Sequence, residues 1–441
     1  MLHLVGEISH DVFILALLVV CVHATSVAWL LVQHVRLRGP ALAEEARLLA
    51  IPMPGDDQLP DVLVQIPSFN EGVLVRRIAE AIGHLDWPPA KLHVQILDDS
   101  TDDSAAEAQE ATEALTRSGI DAVLLHRTVR TGFKAGALAA GMAQSKHAFI
   151  AILDADYLPR PDFLRACMRP MLLDPRLALV QARCDFTNAG ENSLTAVQQR
   201  MLDGHFAVEQ ATRSWLGLLL PFNGTCGIWR RAAIEDAGGW QGDTLAEDLD
   251  LSFRAQAKGW RARYLVTVTV PGELPSGFDA WEGQQYRWVK GFAQGARKLL
   301  PVIWRSSLDL RRKIAATFHL GGCVVGPVIL AAVIAAAIDL VLGQGLTPLG
   351  GALLALALVL GPSGMAMMLL LGQSTARAAS MLVEASRLPQ VIWVSHQLAL
   401  RNLQGSFEAF LGRRSAFVRT PKQAARADPA SINPPASRSG R

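Results

Sequence analysis

Three long runs without Asp, Glu, Lys or Arg constrain the fold of this chain more than any other feature. The runs cover residues 12–33, 314–338 and 348–372, and hydrophobic residues make up 50% of the chain. A helix needs about 20 apolar residues to cross the hydrocarbon core of a bilayer. The runs therefore predict three membrane-spanning helices, one near the start of the chain and two close together near its end.

The basic residues around the first run predict how the chain is oriented. Arg36, Arg38 and Arg47 follow the run, and no Lys or Arg precedes it. Because basic residues favour the cytosolic side of a membrane, we expect residues 1–11 outside and the next domain in the cytosol. No small-residue cleavage site follows a short apolar segment, which argues against a removed signal peptide.

The remaining residues divide by composition into further segments. Charged residues interrupt the last apolar stretch, so an interfacial or re-entrant helix is expected there instead of a crossing. The tail is rich in Pro, Ser, Ala and Arg and is expected to be disordered. The expected segments are a linker at 34–60, a cytosolic domain at 61–275, an interfacial region at 276–313, the interrupted stretch at 378–412, a loop at 413–423 and the tail at 424–441.

Charge and cysteine content exclude several classes of protein. The net charge of +2 gives no strong basic footprint, so no nucleic-acid partner is expected. The five cysteines are odd in number and form no CxxC pair, which argues against a disulfide framework and a structural zinc site. This cysteine usage fits a domain that faces a reducing cytosol.

Between the first two runs, apolar segments alternate with helical patterns such as those at 72–84 and 103–117. Such alternation predicts an α/β domain with a mainly parallel sheet. Ligands of open sheets bind beyond the carboxyl ends of the strands, and acidic clusters stand at those ends here. The predicted strands are 62–66, 93–97, 121–125, 149–153 and 177–181.

The ends of the first two predicted strands are suited to a nucleotide. Pro67, Phe69 and Glu71 follow the first strand, and Asp98 and Asp99 follow the second. A carboxylate there can accept hydrogen bonds from a base N–H and ribose hydroxyls, while Phe69 can lie against the base. Helix capping is the alternative interpretation, since Asp and Ser commonly precede helices.

Two further positions are suited to a diphosphate. Lys134 stands at the start of a helical pattern, where free N–H groups and the positive helix end favour phosphate. Asp154 and Asp156 end the fourth predicted strand, and paired carboxylates can hold Mg²⁺ or Mn²⁺ together with phosphate oxygens. A solvated lysine and a pair of capping carboxylates are the alternatives.

Three residues at spacing i, i+3 and i+4 fall on one helical face, namely Gln284, Arg287 and Trp288. A tryptophan beside hydrogen-bond donors suits the apolar face of a sugar ring. Packing of this helix along the membrane surface is a compatible interpretation. The segment that contains Asn223, Gly224 and Thr225 precedes a strand-like GIW. A simple tight turn is the alternative interpretation of this segment.

The order of these clusters resembles that of the processive inverting glycosyltransferases, the family of cellulose, chitin and hyaluronan synthases and plant mannan synthases. The resemblance covers roughly residues 60–300, and the local wording is similar to that of plant glucomannan synthases. The residues that carry it are LDDSTDDS at 97–104, LDADYLP at 153–159, FNGTCGIWRR at 222–231, LAEDLDL at 245–251 and QQYRW at 284–288. The resemblance implies a GT-A fold that uses a nucleotide-diphosphate sugar and a divalent metal.

The resemblance also implies roles for individual residues. Asp248 corresponds to the general base, with Glu247 beside it, although Ala246 stands where the family usually has Thr. Asp250 is then expected to be first-turn electrostatic decoration of the helix. The loop with Asn223, Gly224 and Thr225 and the face with Gln284, Arg287 and Trp288 correspond to the acceptor side.

A short C-terminal match resembles the gating loop of cellulose synthases. Phe417, Thr420 and Lys422 carry this match, whereas Pro421 departs from the usual pattern. A basic juxtamembrane segment is the alternative interpretation.

Together these features predict a metal-dependent, membrane-bound inverting hexosyltransferase that builds a β-linked polysaccharide of the glucan or mannan type. UDP-glucose and GDP-mannose are the expected donors, and a bacterial inner membrane is the expected location. A non-processive lipid glucosyltransferase of the ceramide type and a catalytically inactive sugar-binding membrane protein are the alternatives. Because three crossings are few for a synthase, a homo-oligomer or an export partner is also expected.

Overall fold

A seven-stranded mixed sheet forms the centre of the domain between the membrane helices. The computed structural model describes residues 2–413 and Thr420. The strand order is β3-β2-β1-β4-β6-β5-β7, and only β6 runs antiparallel to its neighbours. The strands are β1 (Val62–Ser68), β2 (Leu92–Asp98), β3 (Asp121–His126), β4 (Phe149–Ile152), β5 (Leu177–Phe186), β6 (Gly227–Arg230) and β7 (Arg261–Gly272).

Helices cover both faces of this sheet. Val64 and Ile66 of β1 face one core with Ile78, whereas Leu63 faces a second core with Leu138. The strands therefore read as continuous apolar runs, as buried parallel strands do. The helices of the domain are α2 (Val73–Gly83), α3 (Ser104–Arg117), α4 (Phe133–Ala143), α5 (Phe163–Leu173), α6 (Ser193–Asp203), α7 (Ala211–Trp215), α8 (Arg231–Asp236) and α9 (Glu247–Ala257).

The prediction of a mainly parallel α/β sheet is confirmed. Each of the five predicted strands begins within two residues of the first residue of an observed strand. The strand-like GIW is β6, whereas β7 was not predicted. The segment at 204–210 is a π-helix between α6 and α7, a rare form that is frequent at functional sites.

Three helices of the described residues are long and apolar enough to cross a membrane. They are α1 (Leu2–Ala50), α11 (Leu310–Val341) and α12 (Pro348–Arg377), and each contains one of the predicted runs. Ala16 and Leu17 of α1 pack against Ala332 of α11 and Ala357 of α12. The chain therefore has the three helices that its apolar runs predict.

The segment expected as a linker at 34–60 is helical as far as Ala50. Its Glu45 is buried and accepts hydrogen bonds from the backbone N–H groups of Val266 (3.0 Å) and Thr267 (2.7 Å). These two residues lie where the pairing of β5 with β7 skips register, between Leu265 and Thr269. The skip leaves N–H groups without ladder partners, and Glu45 satisfies them and holds α1 on the sheet.

The interfacial region contains α10 (Phe278–Arg305), which packs against α9, α11 and the last helix. The stretch at 378–412 forms three short helices, α13 (Met381–Ala385), α14 (Leu388–His396) and α15 (Ala399–Phe410). Its disposition relative to a membrane stays a prediction. Phe417, Lys422 and the tail at 424–441 lie outside the described residues.

Candidate active site

The carboxylates after β2 are already held by neighbouring side chains. One Asp98 oxygen accepts from the Ser100 hydroxyl (2.6 Å), and the other lies 2.8 Å from His126 Nδ1. Asp99 accepts from Nε (2.7 Å) and Nη2 (2.6 Å) of Arg127, which is a bidentate pair. Both aspartates are buried, so these contacts fix the strand end before any ligand binds.

The loop after β1 lies against the loop after β2. The Asn70 side-chain oxygen accepts from Thr101 N–H (2.9 Å), and Asn70 has a positive φ of 54°. The guanidinium of Arg130 lies 3.3 Å from the Phe69 ring centroid, a cation–π contact. Pro67 and Glu71 belong to the same segment. Sequence analysis missed Arg127 and Arg130, although the basic run at 126–134 is visible in the chain.

Lys134 lies between the strand-end carboxylate and the acceptor-side loop. Its Nζ donates to Asp154 Oδ1 (2.5 Å) and to the Gly224 carbonyl oxygen (3.0 Å). Burial lowers the pKa of Lys134, but Asp154, Glu247 and Asp248 outweigh this and raise it above its usual value. The lysine therefore stays charged and interacts electrostatically with all three carboxylates.

Glu247 and Asp248 open α9 and share this environment. Burial, reinforced by the charge of Asp248, raises the pKa of Glu247 to about 7. Burial raises the pKa of Asp248 to about 6, although Lys134 opposes the increase. A carboxylate with a raised pKa is a stronger proton acceptor, which is what a general base requires.

Gly224 brings the loop close to Asp248. An added Cβ at Gly224 would lie 3.0 Å from Asp248 Oδ2 and 3.4 Å from Lys134 Nζ. The residue also has φ of 79°, which favours glycine. Thr225 accepts a hydrogen bond from Asp154 N–H through its hydroxyl (2.8 Å), so the loop and the end of β4 are joined directly.

Two buried glutamines position the loop and were missed by sequence analysis. Gln181 of β5 accepts from Asn223 N–H (3.2 Å) and donates to the Thr225 carbonyl oxygen (3.0 Å). Gln210 of the π-helix donates to the Asn223 side-chain oxygen (2.6 Å). Both glutamines are fully buried. No motif marks them, because their role depends on which strands become neighbours.

Asp250, which was expected to be first-turn electrostatic decoration, lies in the first turn of α9. It is fully buried, with 2.7 Å to Arg254 Nη2 and 2.9 Å to Lys298 Nζ. The helix turns Asp250 away from Asp248 and into α10 and the residues before α9. The sequence did not predict that Asp250 is buried, because position in a first turn does not reveal which face of a helix is covered.

The oxygen donors near β4 fit a hard divalent cation. Asp154 and Asp156 supply carboxylates, and the ion-pair environment of Asp154, Glu247 and Asp248 contains more negative than positive charge. Among the described residues no group of three His, Cys, Asp or Glu side chains is arranged to hold a metal alone. A cation held by these two carboxylates would take its other oxygens from water or a ligand.

The predicted acceptor face lies on α10. Trp288 is 45% exposed, whereas Arg287 is partly buried and donates to the Thr420 hydroxyl. Burial lowers the pKa of Arg287 to about 10. Gln284 lies one turn earlier on the same helix. Thr420 is the one described residue of the predicted gating match, and it lies against the Arg287 side chain.

The fold and the site together define a GT-A-type glycosyltransferase. They combine a mixed sheet whose strand ends are suited to a nucleotide, a pair of carboxylates at the end of a strand, and a carboxylate with a raised pKa at the start of a helix. Residues 60–291 match the model of the family described as glycosyltransferase like family 2, and the chain belongs to this family.

Relatives and one solved structure agree with this assignment. Glucomannan 4-beta-mannosyltransferase 2 of Arabidopsis thaliana is 44% identical over 256 residues, which are 57% of this chain and 48% of that protein. Glucomannan 4-beta-mannosyltransferase 1 of Oryza sativa subsp. japonica is 43% identical over 282 residues, 61% of this chain and 54% of that protein. The chain thus spans about half the length of the curated relatives it matches.

The solved structure is a mannosyltransferase from Pyrobaculum calidifontis in complex with GDP-Man and Mn²⁺. It is 20% identical, with a TM-score of 0.58, and the match covers 87% of this chain and 100% of that one. At this identity the likeness establishes a common fold.

Proposed function

We propose that the chain is a membrane-bound inverting glycosyltransferase that transfers a hexose from a nucleotide-diphosphate sugar to a growing β-linked polysaccharide. The observation that carries the proposal is the cluster of Asp154, Glu247 and Asp248 around Lys134 at the carboxyl end of β4. GDP-mannose is the first donor to test, because the relatives are named glucomannan mannosyltransferases. UDP-glucose is the second.

Asp248 is the proposed base. It takes the proton of an acceptor hydroxyl while that oxygen attacks the anomeric carbon from the side opposite the diphosphate. The new bond is the glycosidic C–O bond, the bond from the anomeric carbon to the diphosphate breaks, and the nucleoside diphosphate leaves. Burial keeps the pKa of Asp248 raised and the charge of Asp154 adds to this effect, whereas Lys134 opposes it.

Asp154 and Asp156 are the proposed ligands of Mg²⁺ or Mn²⁺. The cation would neutralise charge on the leaving diphosphate. Lys134 supplies a fixed positive charge beside Asp154. Its 2.5 Å contact with Asp154 orients that carboxylate.

The donor and acceptor would approach from different sides. Asp98, Asp99 and Phe69 lie in the loops after β1 and β2, where a nucleotide binds in open sheets. We assign Asn223, which precedes the Gly224 that lies against Asp248, and Trp288 of α10 to the acceptor. The cytosolic side of a bacterial inner membrane is the proposed location of the domain, in accord with the arginines that follow the first run.

The test is turnover by the purified full chain in lipid nanodiscs. We expect GDP-mannose or UDP-glucose with Mg²⁺ or Mn²⁺ to yield nucleoside diphosphate and polymer, and a chelator to stop both. Asp154→Asn and Asp156→Asn are expected to lose activity by orders of magnitude. Asp162→Asn serves as control, because this acid lies a few residues further on and is 68% exposed.

Two results would contradict the proposal. Absence of nucleotide release from any donor in a nucleotide-sugar panel would exclude transfer, and full activity of both aspartate variants would exclude the metal ligands. A product of one added sugar would favour the lipid glucosyltransferase alternative.

A further inference from the structure

The π-helix at 204–210 is joined to α12 at its first residue. A Cβ added at Gly372 of α12 would lie 2.6 Å from Gly204 N, so the two backbones are in direct contact. Asp203 precedes the π-helix and is fully buried, and its side chain accepts from Arg377 Nε (3.0 Å) and Gln373 Nε2 (2.9 Å) of α12. Protein interiors are close-packed, so a displacement of one of these backbones moves the other.

The middle of the π-helix contacts α1 and α11. Val208 packs in one cluster with Leu31 of α1. The Glu209 carboxylate lies 2.8 Å from His319 Nδ1 of α11 and 2.9 Å from His205 Nδ1 within the π-helix. Together with α12, these are the helices of the described chain that are long enough to cross a membrane. All of them therefore contact this one short element.

The last residue of the π-helix holds the loop at 222–225. Gln210 is fully buried, and its Nε2 donates to Asn223 Oδ1 (2.6 Å). Glu209 and Gln210 are neighbours in sequence, yet the first contacts α11 and the second contacts the loop. The hydrogen bonds of a π-helix span five residues instead of the four of an α-helix, and such segments are frequent at functional sites. The π-helix thus joins the membrane helices to the loop.

Two contacts of this loop reach the catalytic side of the site. The Gly224 carbonyl oxygen accepts from Lys134 Nζ (3.0 Å), and the Thr225 hydroxyl accepts from Asp154 N–H (2.8 Å). Lys134 Nζ also donates to Asp154 Oδ1 (2.5 Å), so the loop, the lysine and the aspartate form a closed set of contacts. A shift of the loop would therefore loosen the lysine and the aspartate together.

We propose that Glu209 and Gln210 are positioning residues for Lys134 and Asp154, and that the π-helix sets these two side chains according to the position of the membrane helices. The idea rests on the proposed transferase function, which places Asp154 on the metal ion and Lys134 beside it as a fixed charge. A displacement of α11 or α12 moves the π-helix and the loop with it, so the loop no longer holds the lysine. The membrane-embedded part of the chain thereby governs the geometry around the donor diphosphate.

The first test measures the reactivity of the Lys134 amine in the full chain, held in lipid nanodiscs without donor, acceptor or metal. Limited acetylation with acetic anhydride is followed by mass spectrometry, with Lys258 as internal reference because its side chain is 53% exposed. Gln210→Met keeps the approximate shape of the side chain and removes its donor. We expect acetylation of Lys134 to rise about fivefold, the factor that one lost hydrogen bond represents.

Gln198→Met is the matched control. Gln198 of α6 is buried as well, and it donates to the Pro275 carbonyl oxygen (2.8 Å), which lies outside the loop. Loss of this contact also lowers stability, so the control separates destabilisation from positioning. Acetylation of Lys134 should stay at the wild-type level in Gln198→Met. Equal acetylation in the two glutamine variants would overturn the positioning role.

A second pair of variants tests the link to α12. Gly372→Ala forces α12 and the π-helix apart, whereas Gly361→Ala on the same helix is the control, because a Cβ there meets no atom within 4 Å. We expect acetylation of Lys134 to rise in Gly372→Ala alone, and equal acetylation in both variants would overturn the link. Gly204→Ala presses on the same interface more gently, with its Cβ 3.2 Å from Met368 Cγ, and serves if Gly372→Ala does not fold.

The link to α11 is tested at its histidine. His319→Phe keeps the ring stacked on Phe253 but removes the contact with Glu209, so acetylation of the lysine should rise. Combining this change with Gln210→Met should add little, because both act through the same loop. His396→Phe on exposed α14 is the control. Effects that simply multiply in the double variant would overturn the shared route.

Turnover is measured separately, with GDP-mannose and Mn²⁺. Gln210→Met should lower kcat by about ten- to a hundredfold and raise the Mn²⁺ concentration at half-maximal rate, because Asp154 and Lys134 are misplaced. Gln198→Met should change neither value per folded molecule. Unchanged kcat in Gln210→Met despite higher acetylation would overturn the positioning role, whereas absence of nucleotide release by the wild-type chain would contradict the proposed transferase function instead.

Discussion

The two carboxylate clusters of the site differ in how their charge is balanced. On the donor side, Asp99 has the bidentate contact with Arg127 and a second arginine, Arg130, at 3.6 Å. On the catalytic side, Asp154, Glu247 and Asp248 share Lys134. Asp99 thus has two positive partners, whereas the three carboxylates of the second cluster share one lysine.

This difference separates two tasks. Charge-assisted contacts with arginine hold a carboxylate in one position, which suits recognition of a nucleotide. A buried cluster with too few cations has raised pKa values, which suits proton transfer and attracts a metal ion. The proposed donor side is thus held by contacts within the protein, whereas the proposed catalytic side would gain positive charge from a bound metal ion.

Asp248→Asn, a change on the catalytic side, should have the largest effect on turnover. The amide occupies the same space but cannot take the acceptor proton, so we expect turnover to fall by about 10²- to 10⁴-fold. Binding of the nucleotide sugar, measured by calorimetry, should be retained because Asp99 and Lys134 are unchanged. Asp243→Asn is the control, since Asp243 is 59% exposed.

Asp250→Asn distinguishes chemistry from folding in the same helix. Since it breaks a buried contact with Arg254 and Lys298, it should lower the melting temperature and leave activity per folded molecule almost unchanged. Loss of turnover in Asp250→Asn with full turnover in Asp248→Asn would show that the base has been assigned to the wrong residue.

Sequence patterns predicted the parts of this molecule that depend on local order. The strands carry continuous apolar runs, and Asp154 and Asp248 stand where such runs or helices begin or end. Glu45, Gln181 and Gln210 were not predicted, because each satisfies backbone or amide groups that meet only after the sheet and α1 have assembled. Periodicity identifies buried faces, but it does not identify which polar groups meet across them.

The pH dependence of turnover tests the charge imbalance itself. Asp248 accepts a proton only when ionised, and burial raises its pKa to about 6. We therefore expect kcat/KM to rise with pH on an acid limb centred near pH 6, and to fall as the pH drops below it. A limb near pH 4, where an ordinary aspartate titrates, would contradict the raised pKa of Asp248 and with it the charge imbalance of the cluster.

Arg130→Gln should have the smallest effect and tests the donor side alone. Arg130 covers the Phe69 ring and lies 3.6 Å from Asp99, whereas Arg127 still holds Asp99 after the change. Loss of one cation from a charge-assisted contact should raise KM for the nucleotide sugar by roughly tenfold and leave kcat nearly unchanged. Arg117→Gln on the exposed end of α3 is the control, with a side chain 70% exposed. A large fall in kcat with unchanged KM would mean that Arg130 acts on the transition state, and the division between a donor side held within the protein and a catalytic side balanced by a metal ion would then fail.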